Sequence, residues 1–214
     1  MVGADTVKEN VTWKDALGEF EGNGCTVTLE SISEEEYEEA TDRTSWNAGA
    51  ADKDSGVAYH WADSTLFLHL ANGKMAEYKT HTNADDGYID YSNPDRIGPT
   101  DYFFLEVMYY EDGERKIVSG KDGKEISAME SPLLSPDHSL LLVYAQGNEM
   151  EGVAGGLQLV RLGDAATEIF NKTFDDWVPG DMKWVDDNTV YFKQYTSQQT
   201  DEEPAPRYVK MTIR

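Results

Sequence analysis

From about residue 56 onward, apolar and polar residues alternate with a period of two. Leu66, Leu68 and Leu70 fall on one face of a run, and Phe103, Leu105, Val107 and Tyr109 on one face of another. Successive side chains of a strand point to opposite faces, so this pattern predicts half-buried strands. The runs lie at 57–61, 65–71, 75–80, 88–91, 102–110, 115–119, 139–145, 157–162, 167–172, 182–185, 189–195 and 207–213. They are rich in Val, Ile, Tyr, Phe and Thr, which suit a pleated surface. Asn72-Gly73, Asp112-Gly113 and Asp122-Gly123 supply residues that tolerate the left-handed backbone of two-residue hairpins, and Asp187-Asn188 is a weaker signal. Many short strands joined by tight turns predict an antiparallel meander of hairpins.

The first 45 residues read differently. Thr12 caps a predicted helix over 13–20, with Trp13, Leu17 and Phe20 on one face. Ser33 and Glu36 form a capping box that predicts a second helix over 34–40. That segment carries Glu34, Glu35, Glu36, Glu38 and Glu39, and only Tyr37 and Ala40 are fit to pack. Residues 25–29 alternate and read as a strand. The expected organisation is one β-rich domain over 1–214, with a helical, acidic segment over 1–45 packed on it.

A loose repeat runs through the second half. Ser135-Pro136-Asp137 turns into the apolar strand at 139–145, and Asp186-Asp187-Asn188 turns into another at 189–195. Asp137 and Asp187 are 50 positions apart, near the ~40–50-residue period of propeller blades. Residues 131–195 resemble the blades of TolB-like and WD40-like β-propellers, where a Ser-Pro-Asp turn precedes an apolar strand. Residues 62–68 and 99–105 match more loosely, without Ser-Pro-Asp. The resemblance implies an incomplete propeller of roughly four blades. An antiparallel sandwich or curled sheet produces the same meander.

Charge narrows the function. Lys and Arg total 18 against 41 Asp and Glu, a formal net charge of −23. Nucleic-acid binding requires a basic surface, so that class is disfavoured. An electrostatic membrane anchor requires Lys/Arg clusters and is disfavoured too. The apolar run at 140–145 is far short of the ~20 residues of a spanning helix. Residues 1–6 lack the basic and apolar regions of a signal peptide. The compartment reads as bacterial periplasm or cell surface if a leader has been removed, and as cytoplasm otherwise. Sequons stand at Asn10 and Asn171.

Catalytic motifs are absent: there is no P-loop, no G-x-S-x-G elbow and no H-E-x-x-H. Cys25 is the single cysteine, set among acids that oppose a thiolate, and reads as a small core residue. His60 and His69, nine positions apart, are not expected to face each other in a simple hairpin register, and a zinc site at them needs help from His81 or an acid. His138 completes the set of histidines. Weak Ca²⁺ sites are conceivable at Asp52 and Asp54, or at Asp85, Asp86 and Asp90, although neither loop fits an EF-hand; both read first as solvated acidic turns.

The remaining reading is a non-catalytic acidic protein that engages a basic protein, in the manner of inhibitor or immunity proteins. Complementary charge speeds such encounters and rejects wrong partners. The candidate residues are Glu35, Glu38, Asp85, Asp86, Asp175 and Asp176, with Tyr88, Tyr91 and Trp177 as aromatic anchors. The alternative is a cell-envelope glycan- or Ca²⁺-binding module, or a hydrolase, on a propeller-like scaffold.

Overall fold

A computed structural model describes residues 13–14, 16–48, 59–83, 87–110, 112–147, 154–197 and 204–214. Its strands form four antiparallel sheets that follow one another along the chain. The first is the three-stranded meander β4 (Tyr59–Ala62), β5 (Thr65–His69) and β6 (Met75–Lys79). The second holds β7 (Ile89–Tyr91), β8 (Asp95–Arg96), β9 (Tyr102–Tyr109), β10 (Gly113–Ser119) and β11 (Glu125–Ala128). The third runs β12 (Ser131–Leu134), β13 (Leu140–Ala145), β14 (Gly155–Arg161) and β15 (Thr167–Phe174), with β3 (Trp46–Asn47) on the edge of β12. The fourth runs β16 (Trp177–Asp186), β17 (Thr189–Thr196) and β18 (Arg207–Ile213), then β2 (Thr26–Ser31) and β1 (Gly18–Glu21). One helix, α1 (Glu34–Glu39), completes the described elements. The chain is mainly β, built of antiparallel hairpins.

Three apolar clusters join these sheets face to face, in chain order. Leu66, Leu68 and Tyr78 of the first sheet meet Phe103, Leu105 and Val118 of the second. Tyr102, Phe104 and Ile117 of the second meet Leu134, Leu141 and Val143 of the third. Leu140, Leu142 and Leu159 of the third meet Trp177, Trp184, Phe192 and Met211 of the fourth. The two inner sheets are therefore buried on both faces. In β13, Leu140 and Leu142 point one way and Leu141 and Val143 the other, which is why that segment reads as a continuous apolar run. Among the described residues, no cluster joins the first sheet to the fourth.

The expected helix at 13–20 is replaced by β1. Gly18, within the expected span, has φ +128°, a conformation that breaks a helix, and Phe20 pairs with Val27 of β2. Leu17, expected on the buried face of that helix, is exposed. The second helix forms nearly as expected, as α1, with the Ser33 hydroxyl accepting from the Glu36 N–H at 3.0 Å. Strand β16 extends over Trp177–Asp186, well beyond the expected 182–185.

Turn chemistry follows the sequence closely. Gly73 (φ +78°) and Gly123 (φ +77°) occupy the left-handed positions of their hairpins. In the Ser135-Pro136-Asp137 turn, Asp137 accepts from Ser135 Oγ at 2.7 Å and from the Ser139 N–H at 3.0 Å. Burial opposes its charge, but these donors outweigh it and hold the carboxyl below its usual range. The motif is thus a self-satisfied turn before β13.

The β4–β5 turn is less comfortable. Asp63 (φ 47°) and Ser64 (φ 63°) are both left-handed without being glycine. Such residues cost about 1 kcal/mol each. Replacement Ser64→Gly is expected to raise unfolding stability by up to ~1 kcal/mol in a urea titration; a loss would show that this backbone is not strained. Leu141→Ala, in the doubly covered sheet, is expected to cost about 2–5 kcal/mol. A cost below ~1 kcal/mol in the same titration would mean that the second and third sheets do not seal against each other.

Candidate functional site

Helix α1 lies against the outward face of the fourth sheet, and it is held there by polar contacts. Tyr37 is its one buried residue. The Tyr37 hydroxyl donates to the Asp181 carbonyl at 2.6 Å. Tyr208 of β18 donates to Glu34 at 2.8 Å, and Tyr191 of β17 donates to Glu36 at 2.8 Å. The helix has no basic residue in its last turn, so its carbonyl end carries uncompensated negative charge. Lys183 of β16 supplies the cation: its ammonium donates to the carbonyls of Tyr37 and Ala40 and stands 4.2 Å over the Tyr37 ring. A second cation, Lys193, pairs with Asp181 at 3.0 Å, and Tyr195 donates to the same carboxylate at 2.9 Å.

This packing shifts the groups around it. The Lys193 ammonium and the Tyr195 hydroxyl hold the Asp181 carboxyl below its usual range, against a smaller opposing effect of burial. Burial pushes the Tyr37 hydroxyl up to about 12 against the opposing Lys193 charge, and the nearby Asp181 and Glu38 charges add to the rise. Tyr191 is also raised to about 12, first by burial and then by its bond to Glu36.

The outward side of α1 is unneutralised. Glu35, Glu38 and Glu39 are exposed and make no hydrogen bond or ion pair among the described residues. Together with Ser33, Glu36, Ala40 and Tyr191, Glu35 and Glu39 line an open cleft of about 410 Å³. Elsewhere Arg96, Arg115, Lys116, Lys121 and Lys124 are engaged in ion pairs, which consumes cations and leaves the acidic surplus at the surface.

The other sequence candidates do not gather at this place. Asp175 and Asp176 form the turn between β15 and β16, where Ser197 donates to both backbone carbonyls and the Lys14 N–H donates to Asp176 Oδ2. That turn lies five residues along β16 from Asp181, roughly 15 Å at strand spacing. Trp177 is fully buried, so it is not a surface anchor: its ring stacks on Phe174 at 3.9 Å and lies 6.1 Å from Phe192. Its position as the first inward residue of β16, rather than a loop residue beside two acids, is the reason. Tyr91 belongs to the second sheet and is half-buried, with its ring 5.3 Å from Tyr78. Tyr88 is half-buried just before β7. Asp85 and Asp86 lie outside the described residues, as do Asp52 and Asp54. Asp90 accepts from the Tyr91 N–H at 3.0 Å.

Tyr78 and Tyr91 border a network that the sequence did not reveal. Glu125 accepts from Tyr78 and from Lys116, both at 2.8 Å, and Glu114 lies 3.2 Å from the same ammonium. Burial works against the Lys116 charge, but the two glutamates outweigh it and hold the ammonium above the ordinary lysine range. Cys25 is buried, its thiol donates to the Ile169 carbonyl at 3.3 Å, and burial raises its pKa, all of which suits a packing residue. His60 and His69 are not paired opposite each other, as expected, yet their rings meet. His60 is opposite Phe67, and His69 sits diagonally across at two residues further on, a separation that side chains of this length bridge; Nδ1 of one ring lies 2.8 Å from Nε2 of the other.

Compared with known proteins, the chain matches no family model, no curated protein and no solved structure. Among the described residues no helix is long and apolar enough to cross a membrane.

The tether of α1 sets a pH dependence. Tyr37 ionises near 10 when unfolded and near 12 when folded, so the folded state holds its proton more tightly. Its contribution is whole below pH ~10 and is lost as pH rises toward 12. Tyr37→Phe is expected to cost about 1 kcal/mol at neutral pH and to make the alkaline fall in stability shallower. Tyr191 keeps part of that fall. An unchanged alkaline profile in urea titrations at stepped pH would show that Tyr37 is not held as described.

Proposed function

We propose that the protein is a non-catalytic binding protein that receives a cationic protein partner on the acidic face of α1. One observation carries the reading: among the described residues Glu35, Glu38 and Glu39 project without partners from a helix that is fixed to the sheet at Tyr37, Glu34 and Glu36. A helix already tethered to the sheet needs little ordering when a partner arrives, which favours affinity over mere solubility. A net charge of −23 adds long-range attraction for a basic surface and speeds encounter. The cleft beside Glu35 and Glu39 is open enough to take a lysine or arginine side chain.

The scaffold we propose for this surface is propeller-like. The sheets succeed one another in chain order and pack face to face, and strands from near residue 30 complete the sheet that holds residues 207–213. Four sheets fit the lower end of the propeller range. In this arrangement α1 sits on the outer side of the last sheet, clear of the inter-sheet cores.

The test is capture on immobilised protein from a native lysate at stepped ionic strength, with wild type beside the triple variant Glu35→Gln, Glu38→Gln, Glu39→Gln. A basic protein retained at ~50 mM salt is expected to fall away by ~200 mM, as ionic screening shortens. The triple variant is expected to retain at least tenfold less. Capture that ignores both salt and the three substitutions would remove α1 as the binding surface.

A further inference from the structure

The outward face of the β4–β6 sheet holds the His60–His69 pair. Cross-strand pairing places His60 opposite Phe67 in β5, and Phe67 opposite Glu77 in β6; His69 stands opposite Met75. His60, Phe67, His69, Met75 and Glu77 therefore share one face, and the leucines of β5 point to the other. The His60 ring stacks on Phe67 at 4.9 Å and 10°, and the His69 ring meets it edge-on at 5.0 Å and 77°. Both histidines are exposed. With a nitrogen-to-nitrogen distance of 2.8 Å, one ring donates an N–H and the other offers a lone pair.

Two imidazole nitrogens this close are also the two ends of a chelate. A bound ion sits about 2.0 Å from each nitrogen. At the observed 2.8 Å separation the angle at the ion is then roughly 90°. A tetrahedral ion needs the nitrogens about 3.3 Å apart, roughly half an ångström wider than they stand. Neighbouring positions of a square-planar or tetragonal ion fit it, which is the preference of Cu(II) and Ni(II). Copper binds tightest of the series to a given nitrogen site. The geometry points to a Cu(II) site formed by His60 Nδ1 and His69 Nε2.

Small rotations of the two exposed rings aim both lone pairs at one point; the proton of the donating nitrogen passes through water to the other nitrogen of its own ring, and the ion takes its place. Paired strands set the spacing, and the Phe67 stack limits the His60 ring, so little ordering is required on binding. Among the described residues no group of three His, Cys, Asp or Glu converges on a metal, so water completes the coordination. The site is accordingly open and exchangeable. The Glu77 carboxylate on the same face adds attraction for a divalent cation, and this site is independent of the surface on α1.

Calorimetric titration with CuCl₂, in a weakly coordinating buffer, tests the assignment. One equivalent is expected to bind, with an axial electron-paramagnetic-resonance signal coupled to two nitrogens. His60→Gln and His69→Gln are each expected to weaken binding at least tenfold and to lose one nitrogen coupling, while His81→Gln and His138→Gln titrate as wild type. Equal binding by all four variants, or a wild-type signal from oxygen donors alone, overturns it. On unmodified protein, substoichiometric Cu(II) is expected to broaden the imidazole proton resonances of His60 and His69 before those of His81 and His138; uniform broadening of all four also overturns it.

Discussion

The structure depends on sheets that are apolar on both sides. A sheet with one wet face needs one core; the second and third sheets here each need two. Leu141 and Val143 serve one neighbour while Leu140 and Leu142 serve the other, so no residue in this stretch of β13 is free to be polar. The same demand explains the run Tyr102, Phe103, Phe104 and Leu105 in β9. Burial of apolar area on this scale is the main favourable term in folding. It also sets against it the self-repulsion of a net charge of −23. Charge can accumulate because it is confined to outward faces and turns, where water and salt screen it.

Much of this was legible. The strands read from period-two alternation occur near their expected places, and Asn72-Gly73 and Asp122-Gly123 mark real hairpin turns, whereas Gly113 already belongs to β10. The glutamate-rich helix was legible from its capping box. What failed did so for identifiable reasons. The helical spacing of Trp13, Leu17 and Phe20 is coincidence, overridden by the positive-φ glycine at 18, near the end of the span. Strands β11 and β12 escaped notice because one is mostly polar and the other contains Pro132, which normally argues against a strand. Residues 46–47 gain their strand character only from the neighbour β12, a contact that no local pattern encodes.

The functional surface was legible only in part. The acids of α1 were visible, but the clamp beneath them was not: Lys183, Asp181, Tyr191 and Tyr208 come from strands far along the chain. Trp177 looked exposed because it follows two aspartates, yet its alternation phase within a longer strand turns it inward. The contact between the histidines is not legible from register alone, which correctly keeps them from standing opposite each other. Counting along a hairpin finds the residue directly opposite, whereas long side chains also meet on the diagonal.

Pairing of β2 with β18 has a kinetic side. Val27 bonds in register with Ile213, nearly the whole length of the sequence away, and among the described strands β1 reaches the sheet only through β2. During synthesis the early strands must therefore wait, exposed, until the last one emerges. Contacts this distant are slow to form, and unsatisfied strand edges invite pairing with other chains meanwhile. A glutamate-rich stretch directly after the waiting strand would act as an electrostatic guard, keeping nascent copies apart until the sheet closes over it.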